Sequence, residues 1–537
     1  MNAPPSPVPA GWLLDTLQAL RAVLERIELE EAACLGAIHP IHRAGARNLL
    51  HVIAFHRHVH PGLATALRQR GLCPLTDGDP HLLATLQAVI TALEALEGHG
   101  STPAMTPGPT ATAPQEQPAG SSLLGALAAA GGAGRMVTLP AEAAERPALI
   151  ADLLAAGMTI ARIDCSQDDP AVWGRMLEAL AQARVASARP CAIAIALAGP
   201  KLCIGPLAPQ PAVIRARPPR DRMGRPTQPV RILAVPPGAR AASQDPAVVP
   251  VPVRLSKAKR WKAGVRLRGR DASGRRRTLT VVRRGPDGVL LRSPRTCRFV
   301  AGLVFRQRGG KARLVVGPLA PVSGERWLRP GDTIRLTPEP DRGAGTLPCS
   351  LPEVFPDLRP GERVLFGDGR TGGVIRKVSP REVRLEVTTA RARGSRLRSG
   401  KGIHFPDSDL GMPALSPRDS DDLAFVTHHA DMICCPSVHR ESDIGILRQS
   451  LEDRGRGDLA LVLTIDTRRA FLNLPQLLLA AMAHGAPVGV MVSWSDLAIE
   501  CGWQALATIQ EEILRICGAA HVPCITASVQ VPDGPLP

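Results

Sequence analysis

The stretch LVLTIDTRRAFLNLP (residues 461–475) combines a continuous apolar run with a carboxylate. The run ends at Asp466, and Thr464 stands two residues before it. Continuous apolar runs of this kind are typical of strands that are buried on both faces, as in parallel sheets. An acid at the end of such a strand either caps the turn that follows or belongs to a functional site. The stretch therefore predicts a buried strand that ends on a candidate site residue.

This stretch contains one of seven similar predicted strands, which helical segments separate. Three fall between residues 134 and 206, and four fall between residues 406 and 537. In order they are RMVTLP, TIARIDC, CAIAIAL, ADMICCP, LALVLTID, PVGVMVSW and VPCITAS. This alternation predicts parallel βαβ units, but a (β/α)8 barrel needs eight strands. Because the final VQVPDGPLP is rich in proline, the sequence predicts an α/β fold, a (β/α)8-type TIM barrel that lacks its last βα unit.

The remaining segments complete a predicted organisation in five parts. Apolar residues at helical spacing predict an N-terminal helical bundle, and PGERVLFGDGRTGGVIRKV has an Asp-Gly turn that predicts a hairpin. The predicted parts are an α-helical extension (1–99), a Pro/Gly/Ser/Thr-rich linker (100–133), barrel strands 1–3 (134–206), an inserted β-barrel lid domain (207–405) and truncated barrel strands 4–7 (406–537).

The chain of 537 residues carries a formal net charge of +17, and arginine supplies most of it, because only seven of the 65 basic residues are lysines. Two explanations are open, coding bias in a GC-rich genome and selection for a polyanion partner, and we favour coding bias. The run RLSKAKRWKAGVRLRGRDASGRRR (254–277) poses the same question locally. We favour a solvated lid surface that attracts anionic nucleotide over nucleic-acid binding.

Cysteine usage and the N-terminus bear on the cellular compartment. Twelve cysteines are scattered without a repeated spacing, which favours reduced thiols over a disulfide framework. The start MNAPPSPVPAGW lacks the basic and apolar regions of a signal peptide, and no apolar run reaches membrane-spanning length. We therefore expect a cytoplasmic protein without membrane association.

Several motifs resemble a known enzyme family when they are taken in order. MVTLP and AGMTIARIDCSQDDP resemble its first two barrel strands, and ALAGPKLCIGPL resembles the strand that enters its lid. SGKGIHFPDSDLGMPALSPRDSDDLAFV resembles the return from the lid, whereas IDTRRAFLNLP and VGVMVSWSDLAIECGW resemble the strands with metal ligands. The family is pyruvate kinase, in its bacterial branch with a helical N-terminal extension and no C-terminal regulatory domain. The resemblance implies phosphoryl transfer from phosphoenolpyruvate to ADP in glycolysis.

The resemblance assigns roles to residues at matching positions. Arg162 matches the arginine that binds phosphate, although an arginine at a strand end can also pair with an acid. Asp466 and Asp496 match the Glu and Asp that bind Mg²⁺, and the shorter Asp466 implies a weak site. Each acid also precedes a helix, so helix capping remains an alternative. Ser528 matches the proton-relay threonine.

The family's K⁺ site has fewer matching residues. Its asparagine and serine ligands match Asp164 and Ser166, but its Asp and Thr are Ala196 and Leu197 in this sequence. The resemblance therefore implies that the K⁺ site is lost. Lys201, in the GPK motif, is implied as a cofactor-binding residue together with Arg162 and Ser166.

Two departures affect the chemistry directly. Thr464 stands where the family has the lysine that bridges the transferring phosphoryl group, and Trp494 stands where it has an arginine. A threonine has no positive charge, so the activity is expected to be weak or lost. Three hypotheses follow: a weak pyruvate kinase-like phosphotransferase, a pseudoenzyme of the same fold that binds nucleotide, phosphate or a protein, and a basic scaffold that contacts nucleic acid. A homo-oligomer is compatible with each.

Overall fold

The computed structural model describes residues 10–76, 78–97, 134–238, 247–256, 261–286, 288–307, 309, 313–340, 343 and 345–526. The predicted linker (100–133) and the predicted proton-relay residue Ser528 lie outside these residues. Contacts divide the chain into two compact units. The first unit comprises Met1–Leu202, Leu351–Thr389 and Gly402–Pro537, and the second comprises Cys203–Ser350 and Ala390–Lys401.

The described helices and strands are numbered here in chain order. The helices are α1 (Ala10–Glu30), α2 (Ala32–Ala37), α3 (Arg43–His58), α4 (Leu63–Gln69), α5 (Leu82–Leu96), α6 (Pro147–Ala155), α7 (Pro170–Ser187), α8 (Pro417–His429), α9 (Glu441–Glu452), α10 (Arg468–Leu472), α11 (Leu474–Met482), α12 (Trp494–Cys501) and α13 (Leu506–Ala519). The strands are β1 (Met136–Thr138), β2 (Ile160–Asp164), β3 (Ala192–Ala196), β4 (Ile214–Ala216), β5 (Val230–Val235), β6 (Val248–Ser256), β7 (Arg266–Arg270), β8 (Arg276–Gly285), β9 (Gly288–Ser293), β10 (Cys297–Phe299), β11 (Val304–Gln307), β12 (Arg313–Val316), β13 (Glu325–Leu328), β14 (Thr333–Thr337), β15 (Thr346–Pro348), β16 (Arg363–Phe366), β17 (Thr371–Ser379), β18 (Glu382–Thr389), β19 (Ser395–Arg398), β20 (Ile403–His404), β21 (Met432–Cys435), β22 (Ala460–Ile465), β23 (Val488–Val492) and β24 (Cys524–Thr526).

A parallel sheet of seven strands forms the centre of the first unit. Its order is β1-β2-β3-β21-β22-β23-β24, and every pairing is parallel. Helices cover the outer face because each strand is joined to the next by a helical crossover. The seven predicted parallel strands are therefore confirmed. The predicted absence of a last βα unit stays a prediction, because residues 527–537 lie outside the described part of the chain.

The alternation of side chains along each strand determines which of them lie on the inner face of the sheet. On β22, Leu461, Leu463 and Ile465 join the large core under the helices, whereas Ala460 and Val462 join a small inner cluster. Since successive side chains alternate between faces, Thr464 lies on the inner face with Val462.

The N-terminal helices pack on one another and on the outer helices of the sheet. Helix α1 contacts α3 and α5, and α3 also contacts α11 and α13. Gly45 makes the close approach possible, because a Cβ at this position would lie 2.1 Å from the carbonyl oxygen of Ala520. Buried Asn48 donates from Nδ2 to the carbonyl oxygens of Asp79 and Ala519, each at 2.9 Å. The helical extension is thus joined to the end of α13.

The first unit also contains antiparallel strands. Strands β16 and β17 pair antiparallel on either side of a short loop at residues 367–370, which confirms the hairpin predicted from the Asp-Gly turn. Strand β17 also pairs with β18, and β16 pairs with β20.

The second unit is built around a closed β-barrel with the strand order β11-β12-β6-β5-β9-β8-β7. Its interior is filled by apolar side chains, among them Leu267, Phe305 and Leu314. Short antiparallel pairs, β4 with β10 and β13 with β19, belong to the same unit. The predicted β-barrel is therefore confirmed as a closed barrel, whereas the predicted bounds of the inserted domain, 207–405, stay a prediction.

Candidate functional site

A cavity of about 1340 Å³ lies within the first unit and reaches the carboxyl ends of the parallel strands. Parallel strands place these ends at one edge, so residues that are far apart in sequence meet there. Its lining includes all but one of the predicted site residues: Arg162, Ser166, Lys201, Thr464, Asp466 and Asp496. The exception, Ser528, lies outside the described residues.

Arg162 lies on β2 with its guanidinium held from two sides. Its Nη1 donates to the Thr138 Oγ1 at 3.0 Å, and its Nη2 lies 3.7 Å from an Asp164 carboxylate oxygen. The other Asp164 oxygen accepts a hydrogen bond from the backbone N–H of Ser166 at 2.9 Å. The buried Nε of Arg162 has no acceptor among the described residues. The arginine therefore pairs with an acid and still has a donor for a further anionic group.

Asp466 directly follows β22, and only one of its two carboxylate oxygens has a hydrogen-bond partner among the described residues. Its Oδ2 accepts a hydrogen bond from the Ser437 backbone N–H at 3.2 Å, whereas its shielded Oδ1 has no partner in the described part of the chain. Burial, the largest cause, and the nearby charges of Asp496 and Glu500 together raise the pKa of Asp466 to about 7. Such a carboxyl ionises at low cost only when a cation is present.

Asp496 completes a pair of carboxylates that suits a hard divalent cation. It lies in the first turn of α12, and its Oδ2 accepts a hydrogen bond from the Ser493 Oγ at 2.5 Å. No group of three or more His, Cys, Asp or Glu side chains with metal-binding geometry occurs among the described residues. Mg²⁺ is commonly held by one or two carboxylates together with waters and substrate phosphates. The two carboxylates, Asp466 with its unpartnered Oδ1 and Asp496, therefore fit Mg²⁺.

The helices after these acids are capped by other residues. Thr467 is the N-cap of α10, and its Oγ1 accepts a hydrogen bond from the Ala470 N–H at 3.2 Å. Asp496 lies inside α12, whose N-cap is Ser493. Capping of these two helices therefore does not depend on Asp466. Asp496 contributes to the capping of α12 only through its hydrogen bond with Ser493.

Thr464 lies on the inner face of β22, two residues before Asp466. It is 6% exposed, and its Oγ1 has no hydrogen-bond partner among the residues that the structure describes. The hydroxyl can orient a dipole but supplies no positive charge at this end of the cavity.

The residues at the predicted K⁺ positions do not fit that ion. Ala196 and Leu197 are buried and apolar, so two of the four positions have no side-chain oxygen. Asp164 is already bound by Arg162 and by the Ser166 N–H. A K⁺ site needs several oxygen ligands, and the loss of this site stays a prediction.

Two residues that sequence reasoning missed surround Asp466. Ser437 has a backbone φ of 58°, and this turn directs its N–H to the carboxylate. Glu500 accepts a hydrogen bond from the Arg468 N–H at 2.8 Å and lines a smaller cavity of about 160 Å³ beside Asp466. The sequence contained a signal for Glu500, because it follows Asp496 by four residues and shares a helical face with it. A backbone donor such as Ser437 leaves no signal of this kind.

Residues 326–532 match the family described as pyruvate kinase, barrel domain. A pyruvate kinase of Clostridium perfringens is 23% identical over 209 residues, which are 38% of this chain and 42% of that protein. One of Corynebacterium glutamicum is 26% identical over 237 residues, 42% of this chain and 47% of the relative. Human pyruvate kinase PKLR is 27% identical over 241 residues, 44% and 40% of the two chains.

The matched segments span less than half the length of these curated relatives. Within the described residues, none of the helices combines the length and the apolar character that a membrane crossing requires. The matches to curated proteins point to pyruvate kinase. The parallel strands and the closed barrel inserted between β3 and β21 agree with the fold that this resemblance implies. On this evidence residues 326–532 of the chain are similar to the barrel domain of pyruvate kinase.

Proposed function

We propose that this chain is a pyruvate kinase-like phosphotransferase whose conversion of phosphoenolpyruvate and ADP to pyruvate and ATP is weak or lost. The observation that carries the proposal is Thr464, an uncharged and buried side chain where the family has a catalytic lysine. The binding groups around it are retained, since Arg162, Asp466 and Asp496 line the same cavity.

These residues would divide the work of binding a phosphorylated substrate. Arg162 would hold the phosphate, because a guanidinium matches phosphate oxygens in geometry and charge. Asp466 and Asp496 would hold Mg²⁺, and the bound ion would neutralise charge on the phosphoryl oxygens. Lys201 lines the cavity as a second cation for the ligand. Ser528 is proposed as the proton relay from its position in the sequence.

The missing lysine sets the size of the expected loss. Phosphoryl transfer relies on positioning and on charge stabilisation, so each preorganised cation contributes directly to the rate. Loss of one such group lowers turnover by about a hundred- to a thousandfold in comparable sites. Thr464 can offer only a hydroxyl dipole, and Trp494, which replaces an arginine, adds bulk to the cavity lining.

A pseudoenzyme that binds its ligand without turnover is the second candidate. The apolar Ala196 and Leu197 support it, because they remove the K⁺ ligands as well. In this case Arg162 and the carboxylate pair would serve recognition of a nucleotide or phosphorylated ligand. A cytoplasmic location and a homo-oligomer remain predictions for either candidate.

The test measures pyruvate formation by the full chain with Mg²⁺, phosphoenolpyruvate and ADP. We expect Thr464→Lys to raise the rate at least about tenfold, whereas Thr464→Met, which adds similar bulk without charge, should not. If both variants and the wild type are inactive but bind phosphoenolpyruvate in a Mg²⁺-dependent manner, the pseudoenzyme is correct. Absence of both turnover and Mg²⁺-dependent binding would contradict both candidates.

A further inference from the structure

The basic residues of this chain are concentrated in the second unit. Its ranges, Cys203–Ser350 and Ala390–Lys401, contain 36 Lys and Arg but only 8 Asp and Glu, a formal charge of +28. The rest of the chain contains 29 Lys and Arg and 40 Asp and Glu, a formal charge of −11. Coding bias acts on a whole gene, so it accounts for the frequency of arginine but not for this separation of charge.

The barrel places arginines side by side on its outer surface. On three neighbouring strands Leu267, Phe305 and Leu314 point into the core, so the adjoining arginines point outward. The sheet register sets Arg306 of β11 opposite Arg268 of β7 and opposite Arg313 of β12. Side chains directly opposite one another lie about 5 Å apart at Cβ, and like charges in that arrangement destabilise a sheet.

Further arginines extend this row along β7. Arg266 and Arg270 lie two residues to either side of Arg268 and are exposed on the same face. These two, with Arg268, Arg306 and Arg313, are called the basic face below. No ion pair in the described part of the chain involves Arg266, Arg268 or Arg306. Arg266, Arg268 and Arg306 are therefore adjacent cations that no acid in the described part of the barrel neutralises.

An exposed aromatic ring lies in the same unit. Trp327 of β13 is 57% exposed and stands opposite Arg396 of β19. The ring is held in place because its Nε1 donates to the Glu325 Oε1 at 3.0 Å. Gly394 leaves room beside it, since a Cβ there would lie 3.3 Å from the ring. A fixed, exposed indole next to an arginine suits stacking of a nucleobase.

We propose that the second unit binds single-stranded nucleic acid. The basic face would contact successive phosphates, and Trp327 would stack on a base. Rows of cations alone would fit any polyanion, but an exposed tryptophan within a basic unit favours a ligand with both phosphates and aromatic bases. The proposal rests on the second unit alone and is independent of turnover at the cavity in the first unit.

The first measurement is the affinity of the full chain for a fluorescein-labelled single-stranded RNA of about 20 nucleotides, followed by anisotropy over a range of KCl concentrations. The basic-face variant carries Arg266→Gln, Arg268→Gln and Arg306→Gln. We expect at least about tenfold weaker binding near 100 mM KCl, and a slope of log K against log salt that is shallower by about 2, since each lost phosphate contact removes about 0.7.

The matched control removes the same charge from the first unit. It carries Arg57→Gln, Arg175→Gln and Arg184→Gln, three exposed arginines on α3 and α7. We expect its affinity to change by less than about twofold. An equal loss in the two variants would overturn the proposal, because general charge would then account for the binding. Absence of RNA binding near 100 mM KCl by the wild type would overturn it as well.

The second measurement separates bases from other polyanions. Trp327→Leu should weaken RNA binding by about tenfold and leave the affinity for inorganic polyphosphate unchanged. An unchanged RNA affinity in this variant would exclude the stacking contact. Tighter binding of the wild type to phosphatidylserine vesicles than to RNA would overturn the nucleic-acid assignment in favour of a membrane surface.

Discussion

Asn48 of α3 donates a hydrogen bond from its Nδ2 to the carbonyl oxygen of Ala519, the last residue of α13, at 2.9 Å. The same amide group donates to the Asp79 carbonyl oxygen, and its Oδ1 accepts from the Leu82 N–H. Because Asn48 is 6% exposed, these bonds form away from water. One side chain thus connects α3, the start of α5 and the end of α13.

Replacement of Asn48 by alanine is expected to destabilise the protein. The change removes three hydrogen bonds and leaves buried backbone groups unsatisfied, so we expect the free energy of unfolding to fall by about 2–4 kcal/mol. Urea denaturation followed by circular dichroism measures it. Gln87→Ala, at an exposed position of α5, is the control and should change the value by less than about 0.5 kcal/mol. Equal effects in the two variants would contradict the role of Asn48.

Two glycine substitutions should have opposite effects on stability. A Cβ on Gly45 would lie 2.1 Å from the Ala520 carbonyl oxygen, and a backbone atom cannot move aside as a side chain can. We expect Gly45→Ala to cost about 2–3 kcal/mol or more. A Cβ on Gly36 of α2 would meet no described atom within 4 Å, so Gly36→Ala should stabilise by about 0.5–1 kcal/mol through helix propensity. Thermal unfolding of both variants compares them directly.

Removal of the Thr464 hydroxyl should not harm the fold. Its Oγ1 is buried without a partner in the described residues, so Thr464→Val removes a desolvated polar group and keeps the side-chain shape. We expect stability to stay unchanged or to rise by up to about 1 kcal/mol. Thr467→Val is the matched control, since it deletes the N-cap bond of α10 and should cost about 1 kcal/mol. A loss at Thr464 equal to that at Thr467 would show that its hydroxyl is bound.

Asp466 should make the stability of the metal-free protein depend on pH. Its pKa of about 7 in the folded state exceeds the ordinary value of 3.8, so folding favours the protonated form. The stabilisation is fully present below about pH 4 and is lost as pH rises to about 7. Relative to wild type, Asp466→Asn should therefore gain about 2–3 kcal/mol between about pH 5 and pH 8.

Urea titrations at both pH values, with EDTA present, test the role of Asp466. The exposed Asp152→Asn on α6 is the control and should show the pH dependence of wild type. If Asp466→Asn also follows wild type at both pH values, the carboxyl is not buried as described. Added Mg²⁺ should stabilise wild type most at the higher pH, where the carboxylate no longer competes with a proton for the ion.

The sheet and much of the candidate site could be predicted because both follow from local patterns. Apolar runs of five or six residues, such as that of β22, identify strands buried on two faces, and helices between them require parallel pairing. Parallel pairing then places Arg162 and Asp466 at one edge, although they are far apart in sequence. Family resemblance added the roles of these residues, which periodicity alone could not supply.

Other features depend on contacts that a sequence pattern does not record. The hydrogen bond from Ser437 to Asp466 uses a backbone N–H, which every residue except proline possesses. The alternation of arginine and apolar residues in β7 shows which side chains point outward. The sequence does not show that Arg306 lies opposite Arg268, because register is fixed by pairing across the whole barrel.

The bond between Asn48 and Ala519 joins residues that are 471 positions apart, and this separation has a consequence for synthesis. At a translation rate of about 5–20 residues per second, α3 leaves the ribosome roughly 25–95 s before its partner helix is made. Until then the part of the surface at Gly45 and Asn48 that packs against the end of α13 lacks this contact, whereas the bonds of Asn48 to Asp79 and Leu82 can already form. The helices that are made early therefore reach their final packing only after a much later part of the chain has emerged.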